Sequence, residues 1–445
     1  MKKVFFLIVC SLLVLSSCSR DELYEENSDE IANNVESSFN KANVRNNVRN
    51  NKPIYSRKEI IIQYEKSATD IQKNAFRSAH GIYNSSYGNN NAFTILGTYI
   101  PCDLCPGRTI EKWTYYPNSN INIEHKLGSI KDDLDDDDLD GVVLNVDLEF
   151  VINTDALSNT FSANTNTSYY SNIKSSNSGV TVGVFDTGLN ANFPDFSGTS
   201  FMYNATVESD HIYGVNSGWN FVENNHNTFD DNLDAHGSIV TSIIVRKLNA
   251  LNIPFQIMPL KVADSYGQVS YFKLVCALNY GLPRMDIANL SIGWSEDLTV
   301  ELSNSILSYI IAANPNTLIV ASAGNSYNTI NDNDINNHIP SGLPFSNILS
   351  IGSSNSSNQL SYFSNKGATT VDFLARGENI PFQYIPMTAV PVSGTSFSTP
   401  YVAAIASKIL YESNMTATPS NILDALIASG VDYPYPIIKH QKIIN

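Results

Sequence analysis

Three observations predict an α/β fold with a mostly parallel central sheet and helices on both faces, preceded by a small α+β domain. Short continuous apolar runs recur from Val180 onward, as expected of strands buried on both faces of a parallel sheet. Helical apolar patterns lie between several of these runs, and strands alternating with helices indicate a parallel α/β sheet. Upstream, a separate set of strand-like and helical segments spans about one hundred residues, the size of a small domain.

The chain begins with a segment that does not belong to the fold. Lys2 and Lys3 precede an apolar stretch from Val4 to Leu15, too short to cross the roughly 30 Å hydrocarbon core as a helix. Leu15-Ser16-Ser17-Cys18 resembles a bacterial lipobox, which implies that residues 1–17 are a lipoprotein signal peptide and that Cys18 is acylated. The expected location is the bacterial cell envelope, lipid-anchored at the outer membrane. The acidic cluster Asp21, Glu22, Glu25 and Glu26 is similar to signals that carry lipoproteins to the outer cell surface, although a solvated tether would look the same. Residues 18–56 are rich in Asn, Ser and charge without apolar periodicity, and read as that tether.

Residues 57–155 form the α+β domain. Glu59 to Tyr64 reads as a strand, Ala68 to Ala79 as a helix stopped at His80-Gly81, and Ala92 to Leu96 as a strand. Leu127 to Leu134 reads as a helix, and Val142 to Phe150 alternates well enough for a half-buried strand. Cys102 to Asn120 reads as an insertion relative to the family domain that this unit resembles, named below. Within it, Cys102 and Cys105 form a lone C-x-x-C, weak evidence for zinc, and in an oxidising compartment a local disulfide is expected. Asp136-x-Asp138-x-Asp140-Gly141, with Asp147 at the twelfth position, spells part of a calcium loop. The terminal Glu and flanking helix are missing, so a solvated acidic loop is the preferred reading.

Residues 156–445 form the large α/β domain, entered through a Ser/Asn/Thr-rich link at Ser158 to Ser178. Its strands are Val180–Phe185, Ile253–Val262, Ile287–Ile292 and Leu318–Ser322. Its helices include Ile239–Ile244, Tyr271–Tyr280, Val300–Ala313 and the stretch after Gly394. Cys276 sits in an apolar helical stretch and reads as a buried small residue. The composition excludes two function classes. A net charge of −16 with 16% charged residues gives no basic stripe for nucleic acid. A hydrophobic content of 42% with 10% aromatics excludes a disordered chain.

Three short motifs fall where an open α/β sheet collects reactive groups, at strand ends and helix starts. Asp186-Thr187-Gly188 ends the first buried strand, His236-Gly237-Ser238 opens a helix, and Gly394-Thr395-Ser396 opens another. Each alone has an ordinary structural explanation as a turn or a cap. In the order Asp, His, Ser they resemble the triad of the subtilisin-like serine peptidases, the subtilases. Asn192 to Asp195, Pro259 to Val262, Asn289 to Gly293, Ala321 to Asn325, Ser361 to Gly367 and Val371 to Gly377 are similar to further blocks of that family, in its order.

The resemblance implies a subtilisin-like sheet and a serine endopeptidase acting on protein or peptide substrates through an acyl-enzyme. Asp186, His236 and Ser396 would be catalytic, Asn325 the side-chain oxyanion donor, and Ser291, Ile292 and Gly293 a substrate-binding wall. No cofactor is required. Structural calcium is compatible with the family, but no residue match identifies a metal site. Residues 57–155 resemble the subtilase propeptide, implying a zymogen whose own propeptide inhibits it until cleaved. Ser238, Phe193, Phe397 and Tyr401 depart from the family's usual residues without touching the triad. Two alternatives stand beside the general peptidase: a dedicated maturation peptidase for an exported precursor, and a catalytically silent peptide-binding scaffold. Glu223, Asp230, Asp231 and Asp234, just before His236, hint at basic substrate residues.

Overall fold

Strands that are apolar on both faces must be flanked by partners on both edges and covered above and below, and the large domain meets both demands. The computed structural model describes residues 53–83, 96–134, 142–153, 174–175, 178–197, 200–204, 217–295, 305–326, 331–382 and 390–445. The signal segment, Cys18, the tether up to residue 52 and the acidic run 135–141 lie outside the described residues, whereas Ile54 to Ser56, read from the sequence as tether, belong to the first strand of the small unit.

In the small unit, β1 (Ile54–Tyr64), β2 (Gly97–Pro101), β3 (Ile110–Tyr115) and β4 (Val143–Asn153) form an antiparallel sheet in the order β4-β1-β3-β2, with Ile82–Tyr83 at the far edge. Helices α1 (Asp70–Ala79) and α2 (Ile123–Leu134) cover one face through Phe76, Ile123, Leu127 and Ile130. Thr69 and Gln72 form a capping box that starts α1. Residues 102–120, read from the sequence as an insertion, instead contribute β3, which pairs with both β1 and β2. A buried Glu111 interrupts the apolar pattern of that strand. It is held by a two-pronged contact from Arg77 at 2.8 to 3.1 Å, and also accepts from Trp113 Nε1 and the Tyr64 hydroxyl.

In the large unit, β5 (Val180–Asp186), β6 (Phe255–Lys261), β8 (Ile287–Leu290), β9 (Leu318–Ser322), β10 (Ile348–Ser354), β11 (Phe373–Arg376) and β12 (Lys442–Ile444) lie in the order β12-β11-β10-β9-β8-β5-β6, all parallel. Every residue of β5 and β10 is buried. Helices α3 (His236–Ala250), α6 (Thr395–Glu412) and α7 (Pro419–Ser429) share one core on one face of the sheet. Helices α4 (Tyr271–Gly281) and α5 (Ser305–Ala312) contribute to a second core.

The short strand β7 (Gln268–Ser270), which leads into α4, pairs antiparallel with β4, so the sheet of the small unit continues into the large one. Ile61, Ile110, Phe150 and Ile152 of the small unit belong to the same apolar core as α4 and α5. Phe150 stacks on Tyr271 at 4.4 Å between ring centroids.

Candidate active site

The parallel register brings the ends of β5 and β6 level, with Asp186 opposite Lys261. Asp186 thus emerges at the carboxyl edge of the sheet, where helices begin. His236 opens α3 beside it, and its Nδ1 lies 2.7 Å from Asp186 Oδ1, both side chains almost fully buried. The Thr187 amide donates to the same oxygen at 2.7 Å. Gly237 makes the close approach possible: a Cβ there would stand 2.5 Å from the Gly188 carbonyl and 3.0 Å from Asp186 Cβ. Its amide donates to Thr187 Oγ1 at 2.8 Å.

Ser396 sits in the first turn of α6. Its Oγ donates to the Ser291 carbonyl at 3.3 Å, and Ser291 Oγ returns a bond to the Ser396 carbonyl at 2.8 Å. Phe397, the next residue, packs its ring 5.6 Å from the imidazole of His236. Asn325, past the end of β9, accepts from the Thr395 amide at 3.0 Å and from Thr395 Oγ1 at 3.1 Å. With its carbonyl oxygen committed to Thr395, the Asn325 amide nitrogen is the group oriented away from that contact. The structure therefore gathers Asp186 with His236, and Asn325 and Ser291 with the helix start that carries Ser396.

Of the Ser291 to Gly293 segment, Ser291 and Ile292 are buried and turned inward. What this segment can offer a peptide is its backbone. Gly293 and Gly324 both pack against the buried His338, whose ring a Cβ at either position would strike. Burial holds the His338 imidazole neutral, its pKa lowered to about 4. Sequence reasoning missed His338, and it missed Thr395 as the residue that orients Asn325.

Three of the four acidic residues before His236 have partners within the protein. Asp230 is fully buried, where it accepts from the Ser238 amide at 2.9 Å and from Ser238 Oγ at 2.6 Å. Asp231 pairs with Lys261 Nζ at 2.8 Å, and Glu223 accepts from Asn225. Asp230 braces the start of α3, and Ser238 links it onward to the Asn190 amide. Phe193 fills a buried aromatic cluster with Phe196 and Phe382, and Tyr401 accepts from Lys247.

Cys102 and Cys105 form a disulfide, and Cys276 is buried with a free thiol. Asp147, the described member of the calcium-like run, instead accepts from the amides of Ser305 and Ile306 at the start of α5 and from the Tyr271 hydroxyl. Glu149 accepts in the same way from the Phe272 amide and Ser270 Oγ at the start of α4. Among the described residues, one group of three His, Cys, Asp or Glu side chains lies close enough to share an ion, and it is made of cysteines alone.

An Asp at a strand end, a His and a Ser at two helix starts, and a parallel sheet that aligns them define a subtilisin-type α/β protein. The chain belongs to the subtilase family, Peptidase_S8, whose profile matches residues 177–441. It is similar to the cuticle-degrading serine protease of Arthrobotrys oligospora, 27% identical over 57% of this chain and 57% of that protein. It is also similar to thermitase of Thermoactinomyces vulgaris, 26% identical over 60% of this chain and 89% of that protein, and to the cell wall-associated protease of Bacillus subtilis, 29% identical over 57% and 26%. The chain spans about half or less of the length of several curated relatives that it matches. Among solved structures, a cold-adapted subtilisin-like serine proteinase shares 24% identity over 61% of this chain and 90% of that one, with a TM-score of 0.46.

Proposed function

We propose that this protein is an exported, lipid-anchored serine endopeptidase, made as a zymogen, that hydrolyses peptide bonds through Asp186, His236 and Ser396. The observation that carries the reading is the buried Asp186–His236 contact at 2.7 Å beside the helix start bearing Ser396. A serine hydroxyl is a weak nucleophile until a base takes its proton. His236 accepts that proton and later returns it to the leaving amine. Asp186 fixes the imidazole tautomer and stabilises the imidazolium. Asn325, held by Thr395, donates its amide to the tetrahedral oxyanion, beside the positive end of the α6 dipole. Backbone groups of Ser291 to Gly293 align the substrate.

Residues 57–155 act as a cleavable inhibitor, consistent with a sheet that runs on into β7 and with Asp147 and Glu149 capping two helices of the large unit. The relative named a cell wall-associated protease agrees with export, and the lipobox-like Cys18 anchors the zymogen through its N-terminal unit, holding the catalytic unit at the membrane while the two units stay together. Intact-mass analysis of the uncut precursor and N-terminal sequencing of the matured catalytic unit test anchoring and processing in turn. The reading expects a diacylglyceryl mass on Cys18 in the precursor and a cut between the two units after maturation. An unmodified Cys18 removes the anchor, and a chain that stays uncut while fully active removes the zymogen.

A further inference from the structure

Helix α4 of the large unit and the turn between β2 and β3 of the small unit meet at three sulfurs. Cys102 and Cys105 are paired, Cys276 on α4 is free, and the three Sγ atoms all lie within 4.8 Å of one another. Each of these residues is at most 4% exposed, inside the core shared by the two units. Contacts within the small unit fix the turn. The Cys102 amide donates to the Ile110 carbonyl at 2.8 Å, and Lys73 Nζ donates to the Gly107 carbonyl at 2.7 Å. Asp103 accepts from Asn224 Nδ2 of the large unit at 3.0 Å. Helix α4 is fixed in turn by Glu149, which takes the Phe272 amide at 2.9 Å. No step of the proposed hydrolysis uses any of these sulfurs.

We propose that the three cysteines form a thiol–disulfide exchange site that links the N-terminal unit covalently to α4. The Cys276 thiolate attacks Sγ of Cys102 or Cys105. A new S–S bond forms across the two units, the old one breaks, and the displaced sulfur leaves as a thiolate that takes up the proton Cys276 released. One disulfide and one thiol exist before and after, so no outside oxidant or reductant takes part. A buried thiol held against a disulfide reacts as an intramolecular partner, at a high effective molarity, while glutathione in solution has little access.

Burial pushes the Cys276 thiol up, with Glu149 and Asp103 adding to the rise and Lys112 and Lys273 opposing it, so exchange accelerates as pH rises. The consequence rests on the reading of residues 57–155 as a cleaved inhibitor. A unit joined to α4 stays at an effective concentration of roughly millimolar after its peptide link is cut, and is released only by reduction.

The test uses the full chain carrying Ser396→Ala, which stays uncut and needs no peptidase activity. The protein is held in glutathione buffers of graded redox ratio and pH, quenched by acid and alkylated, and its disulfides are mapped by mass spectrometry of unreduced peptides. The expected result is a peptide joining residue 276 to residue 102 or 105, increasing with pH and absent from Cys276→Ser. Cys105→Ser refolded from the reduced, denatured state in oxidised glutathione should carry Cys102 and Cys276 as one disulfide in the majority species. The proposal is overturned if Cys276 stays entirely free beside an intact Cys102–Cys105 pair in every buffer. It is equally overturned if Cys105→Ser yields only glutathione adducts, or if native mass spectrometry finds all three thiols reduced around a metal ion. Peptidase activity enters none of these outcomes, so failure here is distinct from failure of the proposed enzyme.

Discussion

Replacing Asp147 with alanine should loosen the hold of the N-terminal unit on the large unit by about two orders of magnitude. Its carboxylate, 1% exposed, accepts four hydrogen bonds: the Ser305 amide at 3.2 Å, Ser305 Oγ at 2.7 Å, the Ile306 amide at 3.0 Å and the Tyr271 hydroxyl at 2.8 Å. The two amides belong to the first turn of α5, where N–H groups have no partner inside the helix and the dipole favours an anion. A hydrogen bond to a charged group is worth ~1.5–3 kcal/mol, but four on one carboxylate do not add, and water can refill the vacated site. A net loss of about 3 kcal/mol follows, near the low end of the range for breaking a buried charged contact. At 1.4 kcal/mol per tenfold, that weakens binding ~10²-fold. In a Cys276→Ser background, where no disulfide can join the units, the cleaved unit is followed after maturation by gel filtration across a dilution series, alongside the emergence of peptidase activity. Asp147→Asn, which keeps the volume but drops the charge, should fall between wild type and alanine. A dissociation midpoint within threefold of wild type for Asp147→Ala would refute the capping argument.

Two further outcomes are expected. Asn325→Leu should lower kcat by ~10²–10³ with KM little changed, the size measured for an oxyanion amide in subtilisin itself; steady-state kinetics on a peptide substrate check it, and an unchanged kcat would remove Asn325 from the oxyanion site. Burial pushes the Glu149 carboxyl up to about 7 against the pull of Lys112. The docked state therefore binds a proton that the separated unit gives up. Its contribution to docking is fully present below about pH 4.5 and is lost as pH rises through about 7. In Cys276→Ser, where no disulfide can join the units, release of the cleaved unit should accordingly be greater at pH 8 than at pH 5, and a flat or reversed profile contradicts this.

The sheet was legible in the sequence because doubly buried parallel strands are predominantly apolar, and Val180 to Phe185 and Leu318 to Ser322 are, with Thr181 and Ser322 the exceptions. Helix α4 was legible from its periodicity. The strand Ile110–Tyr115 was not, because Glu111 and Lys112 break its apolar run and the compensation of Glu111 by Arg77 comes from a residue distant in sequence. The candidate site was legible as residue types in order, since an Asp at a strand end and a His and a Ser at helix starts leave local signatures. Partners that act through space left none. Thr395 on Asn325, Asp230 beneath Ser238 and His338 behind two glycines emerge only when the sheet brings distant segments together. The same blindness hid the function of Asp147: read along the chain it completes an acidic run, and in space it caps a helix that begins far downstream.

The most direct test of the central claim is intact-mass and peptide analysis of the matured protein after exposure to a fluorophosphonate. A single adduct is expected, located on Ser396, together with loss of peptidase activity. Ser396→Ala should take no label and cleave nothing while retaining the wild-type circular dichroism spectrum. Labelling at another residue, or peptidase activity that survives Ser396→Ala, would contradict it.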